Sequence, residues 1–259
     1  MQAQGWVPRR RVRLRVEYAE ISLCGARESN QDRVGSVVMP DAVMLAVLDG
    51  MGGHLQGELA ASTGCVALLE RFRSSLTPLP DAAGFLGESL QLAHAQVVAL
   101  GQHMPLERRP RATCAVCLVQ DNVAWYAHLG DSRVYLLRQG TVHERTRDHS
   151  HVEQLVQHGI ITEEQVNTHP LRNYVEACIG GDPLPPVPAL SAGRAVLPGD
   201  ILLVCTDGFW SGLTEREIAT TLYSGYPVKA CLEALAELSV RRCGAGSDNT
   251  TAAVLRLKE

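Results

Sequence analysis

Four carboxylates in this chain stand where an apolar run gives way to a turn. Asp49 closes "VMLAVLDG", Asp131 sits in "LGDSR", Asp207 closes "ILLVCTDG" and Asp248 opens "SDNTTAAVL". An acid at the edge of a core is costly to desolvate unless a hydrogen bond or a cation compensates it. Asp-Gly is also a common tight turn, so each site taken singly reads as a plain turn. Four together, on separate strands, point to a shared site, because clustered carboxylates repel one another unless a cation offsets the charge. Oxygen donors with no His or Cys among them favour a hard divalent ion, Mg²⁺ or Mn²⁺. The glycines after Asp49 and Asp207 permit close approach, and the carbonyl of Gly50 is itself a candidate ligand. "RESNQD" (27–32) adds Arg27, whose planar guanidinium suits two oxygens of a phosphate. Two hard ions bridged by a carboxylate would also generate a hydroxide nucleophile from bound water.

The elements that must carry these residues can be read from periodicity. "RLRVEYAEISLCG" alternates as a strand, "ARESNQDRVG" interrupts it, and a strand follows at 43–48. Apolar residues at helical spacing mark helices at 57–72 and 82–100, separated by "TPLPD", whose Asp81 caps the second. From 112 the chain reads as a meander, with strands at 112–119, 123–129 and 133–138. Residues 147–198 hold two short helices, one at 152–158 and one opening at Thr162, and then a Pro- and Gly-rich stretch that suggests a surface flap. A strand at 201–205, a helix opened by the Thr214/Glu217 capping box, the helix "VKACLEALAELSVRRC" and the strand "NTTAAVLRL" complete the chain. Strands joined by hairpins between helix pairs predict antiparallel sheets with helices packed outside them. A doubly wound parallel sheet would need regular strand-helix alternation, which is absent.

Composition excludes other classes of function. The 259 residues are 46% hydrophobic, ample for a core, and a net charge of -4 gives no overall attraction to nucleic acid or to an anionic membrane. The one basic cluster, "RRRVRLR" in an arm over residues 1–14, lacks the interleaved aromatics of a nucleic-acid surface. Eight cysteines are scattered through apolar segments, as expected of reduced core thiols. Cys114 and Cys117 form C-x-x-C, but no second pair or nearby His completes a zinc set. No apolar run reaches the ~18 residues of a membrane span and no secretory leader is evident, so a cytoplasmic protein is expected.

Seven motifs occur in order: "RESNQD", "VLDGMGGH", "GDSRVYLLR", "DHS", "HPLRN", "CTDGFW" and "SDNTTAAVL". Together they resemble the metal-dependent serine/threonine protein phosphatases of the type 2C family, especially its bacterial branch, over residues 15–257. The resemblance implies an α+β fold: a four-layer α/β/β/α sandwich of two antiparallel sheets flanked by helix pairs, with a dinuclear Mn²⁺ or Mg²⁺ centre at one end. One catalytic domain would span 15–259, with the 147–198 flap inside it. Carried over residue by residue, Asp49 bridges the two ions, the Gly50 carbonyl ligates one, Asp207 and Asp248 complete the other, and Asp32 holds metal-bound water. Arg27 binds the substrate phosphate, and Asp131 with Asp207 matches a third, looser metal site. Catalysis then rests on Arg27, Asp49 and Asp207, with His54 and Asn249 in minor roles.

The implied reaction is in-line hydrolysis of phosphoserine or phosphothreonine by metal-bound hydroxide, without a covalent intermediate. The C-x5-R spacing of Cys65 and Arg71 falls within the apolar helix read at 57–72, so no Cys sits in a phosphate-binding loop of the cysteine-phosphatase kind. Expected partners are phosphorylated proteins, among them a cognate bacterial Ser/Thr kinase and its targets, with the phosphatase monomeric and free of nucleic acid and membrane. Two positions depart from the family pattern. Gln31 stands where many relatives carry Glu, and Met51 stands where eukaryotic relatives carry a His proposed as general acid. "EACIGGD" after "HPLRN" is unusual for a flap as well. The alternative readings are a phosphoprotein-binding module of the same fold with weak turnover, and a small-molecule phosphoester hydrolase.

Overall fold

A computed structural model describes residues 14–51, 54–166, 168–172 and 174–258, so all of the basic arm except Leu14 lies outside the described residues. In chain order the elements are β1 (Val16–Leu23), β2 (Arg33–Val38), β3 (Ala42–Leu48), β4 (Gly50–Met51), α1 (His54–Arg73), α2 (Ala82–Leu100), β5 (Arg111–Ala112), β6 (Cys114–Gln120), β7 (Val123–Leu129), β8 (Arg133–Arg138) and β9 (Thr141–Arg145). There follow α3 (His151–Gln157), α4 (Glu163–Val166), β10 (Ile179–Gly180), β11 (Ala189–Leu190), β12 (Arg194–Ala195), β13 (Ile201–Cys205), α5 (Asp207–Trp210), α6 (Glu215–Leu222), α7 (Val228–Cys243) and β14 (Thr250–Leu257).

Two antiparallel sheets face each other. One runs β1-β14-β13-β8-β9 and the other β11-β7-β6-β3-β2, with β12 also on β7 and a small sheet β10-β5-β4 beside them. The period of two along each central strand explains the layering. On β3, Val43, Leu45 and Val47 meet Leu202, Val204, Ala253 and Leu255 of the opposite sheet. The alternate residues Met44, Ala46 and Leu48 pack with Leu68, Phe72, Leu86 and Leu90 of α1 and α2. The outer face of the other sheet is covered in the same way, Leu203 and Val254 packing with Leu222, Leu232 and Leu235 of α6 and α7. Strands buried on both faces read as continuous apolar runs, and β3, β6 and β13 do so. The expected α/β/β/α sandwich is thus the observed one.

The caps fall where expected. The Asp81 side chain accepts the Gly84 N–H at 2.9 Å, and Thr214 with Glu217 forms a reciprocal capping box. Cys114 and Cys117 are free thiols three positions apart on β6, one packed toward the helices and the other between the sheets.

Two readings of the elements need correction. The stretch at 112–138 is not a meander: β7 pairs with β6 in one sheet, whereas β8 pairs with β13 and β9 in the other. The chain crosses between sheets through Gly130, Asp131 and Ser132, with Gly130 at φ +97°. The segment "RVGSVV" is a strand, β2, paired along its length with β3. Its interior Gly35 breaks the sequence pattern because Leu69 of α1 lies where a Cβ would be, 2.3 Å away. The later part of 147–198 also pairs with the framework: β10 joins β5, and β11 and β12 join β7.

Candidate metal centre

The acidic residues meet at one end of the sandwich, at the mouth between the two sheets. Asp49 follows β3, Asp131 lies in the crossing from β7 to β8, Asp207 opens α5 directly after β13, and Asp248 precedes β14. Asp49, Gly50, Asp131, Asp207, Asp248 and Arg27 line one continuous cleft. Asp32, before β2, lies beneath it and is buried.

Each carboxylate is placed by polar groups at the strand ends. The Asp49 carbonyl accepts the Thr113 N–H at 2.9 Å, and the Thr113 hydroxyl accepts the Asp49 N–H at 3.2 Å while meeting the Ser132 hydroxyl at 2.7 Å. Thr206 donates its hydroxyl to Asp32 Oδ2 at 2.8 Å and accepts the Thr251 N–H at 3.1 Å. Asn249 is a tether for the 27–32 loop. Its Oδ1 accepts the Gln31 N–H at 2.8 Å, and its Nδ2 donates to the carbonyls of Cys24 and Ser29 at 2.9 and 3.0 Å.

The glycines after two of the acids are required by packing. A Cβ at Gly50 would lie 2.1 Å from the Gly57 carbonyl oxygen of α1, and one at Gly208 would lie 2.1 Å from the Asn249 carbonyl oxygen. Gln31 sets its amide oxygen against the same Gly57. Met51, in β4, lines the cleft beside Gly50. His54 opens α1, and its side chain lies outside what is described.

Electrostatics show how much these acids need a cation. Burial, then the charges of Asp32, Asp207, Asp131 and Asp248, hold the Asp49 carboxyl well above the usual carboxylate range. Burial pushes Asp32 up to about 8 against the opposing hydrogen bonds of Thr206 and Thr251, with Asp207 and Asp248 adding to the rise. Asp131 is raised well above its ordinary value by burial and by the charges of Asp207 and Asp148. Burial and Asp248 carry Asp207 up to about 6. At the rim, Arg27 donates to Asp248 Oδ2 at 2.6 Å, a contact that raises its own pKa.

Among the described residues, no three acidic, imidazole or thiol groups already point at one common centre. The donors nevertheless suit a hard divalent ion. Asp32 Oδ1 and Asp131 Oδ1 are buried with no hydrogen-bond partner among the described residues, the remaining donors are all oxygens, and the acids repel one another.

Several residues that shape the site were given no role in the sequence reading, although Ser132, Arg133, Asp148 and Thr206 fall inside its motifs. Thr113, Thr206 and Ser132 are polar groups buried at strand ends, and that placement of polarity is a further signal. Asp148 and Arg133 form a buried two-pronged ion pair at 2.8 and 2.7 Å, and Arg133 lies over the Trp210 ring. The two lie at the open end of the β8–β9 hairpin, and the sequence reading gave no strand at 141–145. The cleft continues past Asp131 and Asp207 along a wall of Ser150, Val152, Val166 and Arg172, so part of the 147–198 segment borders it.

A protein phosphatase 2C family model matches residues 24–241. Protein phosphatase PhpP of Streptococcus pneumoniae is 30% identical over 237 residues, which cover 90% of this chain and 94% of that protein. Among solved structures, the Streptococcus agalactiae serine/threonine phosphatase superposes with a TM-score of 0.85 at 28% identity, covering 94% of this chain and all of that one. The Mycobacterium tuberculosis phosphatase PstP/Ppp gives 0.82 at 30% identity, covering 94% of this chain and 99% of that chain. A further solved structure is of the PstP catalytic domain in complex with two manganese ions, with a TM-score of 0.80 at 28% identity over 94% of this chain and 99% of that chain.

Proposed function

Because the chain belongs to the protein phosphatase 2C family, a metal-dependent family, we propose that it removes phosphate from phosphoserine and phosphothreonine in proteins, using the acid-lined mouth between its two sheets as the site. The observation that carries this reading is the convergence of Asp32, Asp49, Asp131, Asp207 and Asp248 from separate strands on one cleft, with Arg27 at its rim. Asp49, the Gly50 carbonyl, Asp207 and Asp248 would hold two Mn²⁺ or Mg²⁺ ions, Asp32 would orient water beside them, and Asp131 with Asp207 would hold a third. When bound, such ions lower the pKa of coordinated water and polarise the phosphoryl group.

The chain's own residues supply the rest. Arg27 is held over the cleft by Asp248 and keeps donors for two equatorial oxygens of the phosphate. Asp32, kept in place by Thr206, is the buried carboxyl that would hold the reacting water in position. Met51 lines the cleft and cannot protonate a leaving alkoxide, so that proton must come from water or from another group. We assign a monomer acting on phosphoproteins that include a cognate kinase. No described helix is long and apolar enough to cross a membrane.

The test is hydrolysis of p-nitrophenyl phosphate and of a phosphothreonine peptide with Mn²⁺, with excess chelator, and by Asp207→Asn. Activity should require the ion and fall about 10²- to 10³-fold or more in the variant. A folded, ion-loaded wild type with no turnover on either substrate would favour a phosphoprotein-binding module instead, and turnover of nucleotides far above the peptide would favour a small-molecule hydrolase.

A further inference from the structure

Asp131 and Asp207, the pair assigned to a third ion, both stand on short pieces of chain. Asp131 lies in the 130–132 crossing between the sheets, and Asp207 opens α5, which is four residues long. Their separation therefore depends on what ties the crossing to that turn. One direct tie is present: the Trp210 Nε1–H donates to the Asp131 carbonyl oxygen at 3.0 Å. Trp210 follows Asp207 by three positions, so the carboxylate and the indole leave neighbouring points of the same helical turn.

The indole is itself held. The Arg133 guanidinium lies 3.4 Å from the ring centroid. That guanidinium is fixed in turn by its two bonds to the buried Asp148 and by the Tyr135 hydroxyl at 3.1 Å. The other ties to the crossing hold different atoms. The His149 N–H takes the Gly130 carbonyl at 2.8 Å, and Ser132 meets Thr113. Asp131 Oδ1 has no partner among the described residues, so the carboxylate goes where the backbone anchors carry it.

We infer that Trp210 is a positioning residue that sets the spacing of Asp131 from Asp207, and with it the affinity for the ion those two carboxylates share. This rests on the proposed assignment of both acids to one ion.

The experiment is calorimetric titration of Mn²⁺ into the metal-stripped full chain as wild type, Asp131→Ala and Trp210→Phe, with a thermal melt of each. Phenylalanine keeps a ring under Arg133 and removes the N–H. The expected result is a weakest Mn²⁺ site about threefold to tenfold weaker in Trp210→Phe, the tighter sites unchanged, and that weakest site gone in Asp131→Ala. Unchanged weakest-site affinity in Trp210→Phe, with the site lost in Asp131→Ala, overturns the role of Trp210 and leaves the assignment standing. A higher KM for phosphopeptide with unchanged Mn²⁺ binding does the same, since it would make Trp210 a substrate contact. A wild type that takes up only two ions, or an Asp131→Ala protein that binds as the wild type does, overturns the assignment itself. Should Trp210→Phe fail to fold, benzothienylalanine at position 210, which puts sulfur where the N–H was in a ring of the same shape, enters the same titration and decides in the same way.

Discussion

The two sides of the cleft are built by different means. On the side of Asp32 and Asp49, position comes from the backbone of long strands: β3 is buried along its whole length, and Gly50 is pressed against Gly57 so closely that no side chain fits. On the side of Asp131 and Asp148, position comes from side chains that cross between elements, the Arg133–Asp148 pair, the Trp210 indole and the Ser132 hydroxyl. The first side adds close packing to the polar contacts of Thr113, Thr206 and Asn249, whereas the second rests on a small number of side-chain contacts. A sequence reader sees the first kind because strand and turn chemistry are local. The second kind depends on partners brought together by topology.

The largest effect should come from removing the cation while varying pH, because buried acids of the cleft are held well above their ordinary range. A carboxyl whose pKa is higher in the folded protein than in the unfolded chain binds more protons when folded, so stability falls as pH rises between the two values. Asp32, at about 8 when folded, and Asp49, raised further by burial and by its neighbours, both act in this sense. Metal-free protein should therefore lose melting temperature steadily from about pH 4 to about pH 8. Saturating Mn²⁺ should flatten that slope, because the ion replaces the protons. A melt series with and without the ion checks this, and a metal-free protein that grows more stable over the same range would contradict the charge cluster.

Next in size is the opposite side. Asp148→Asn leaves the buried Arg133 guanidinium with an uncompensated charge, and breaking such a pair costs about 3 to 5 kcal/mol. Chemical denaturation should show that loss at any pH above the carboxylate range. Arg194→Gln, which removes a half-exposed partner of Glu144, should cost less than about 1 kcal/mol in the same assay. Near-equal losses would mean that Arg133 and Asp148 do not act as a buried pair.

The same contrast explains how far the sequence could be read. The Asp-Gly endings, the capping boxes and the apolar faces of α2 and α7 are written within a few residues of one another, and each was visible. The strand β2 was hidden because Gly35 answers to Leu69 on a helix far along the chain. The crossing at Gly130–Ser132 looked like one more hairpin turn, because a turn in one sheet and a passage between two sheets use the same residues. With the crossing misread nothing connected Trp210 to Asp131, and with β9 unread nothing connected Arg133 to Asp148 across the β8–β9 hairpin. Acids marked by their own charge at a turn, and Asn249 beside Asp248, could be picked out from the sequence, whereas Thr113, Thr206 and Trp210, which hold a neighbour, were given no role there.

The smallest effect is also the sharpest comparison, because one substitution made at two places should change sign. Gly50→Ala sets a Cβ against backbone atoms of Gly57 at 2.1 and 2.4 Å and of Gln31 at 2.8 Å, and backbone cannot rotate away as a side chain can. Overpacking of this kind costs about 1 to 3 kcal/mol. Gly87→Ala on α2 meets only Leu190, at an ordinary 3.5 Å. It also replaces the most flexible residue by the best helix former, which should stabilise by about 0.5 to 1 kcal/mol. Denaturation midpoints of the two variants measure both signs at once. Gly50→Ala should also weaken Mn²⁺ binding, since relief of the clash must move the Gly50 carbonyl or its neighbours, whereas Gly87→Ala should leave binding unchanged. If both substitutions stabilise the fold, α1 does not hold the Asp49 turn by close packing, and the strand-end side of the cleft would owe its geometry to polar contacts as the other side does.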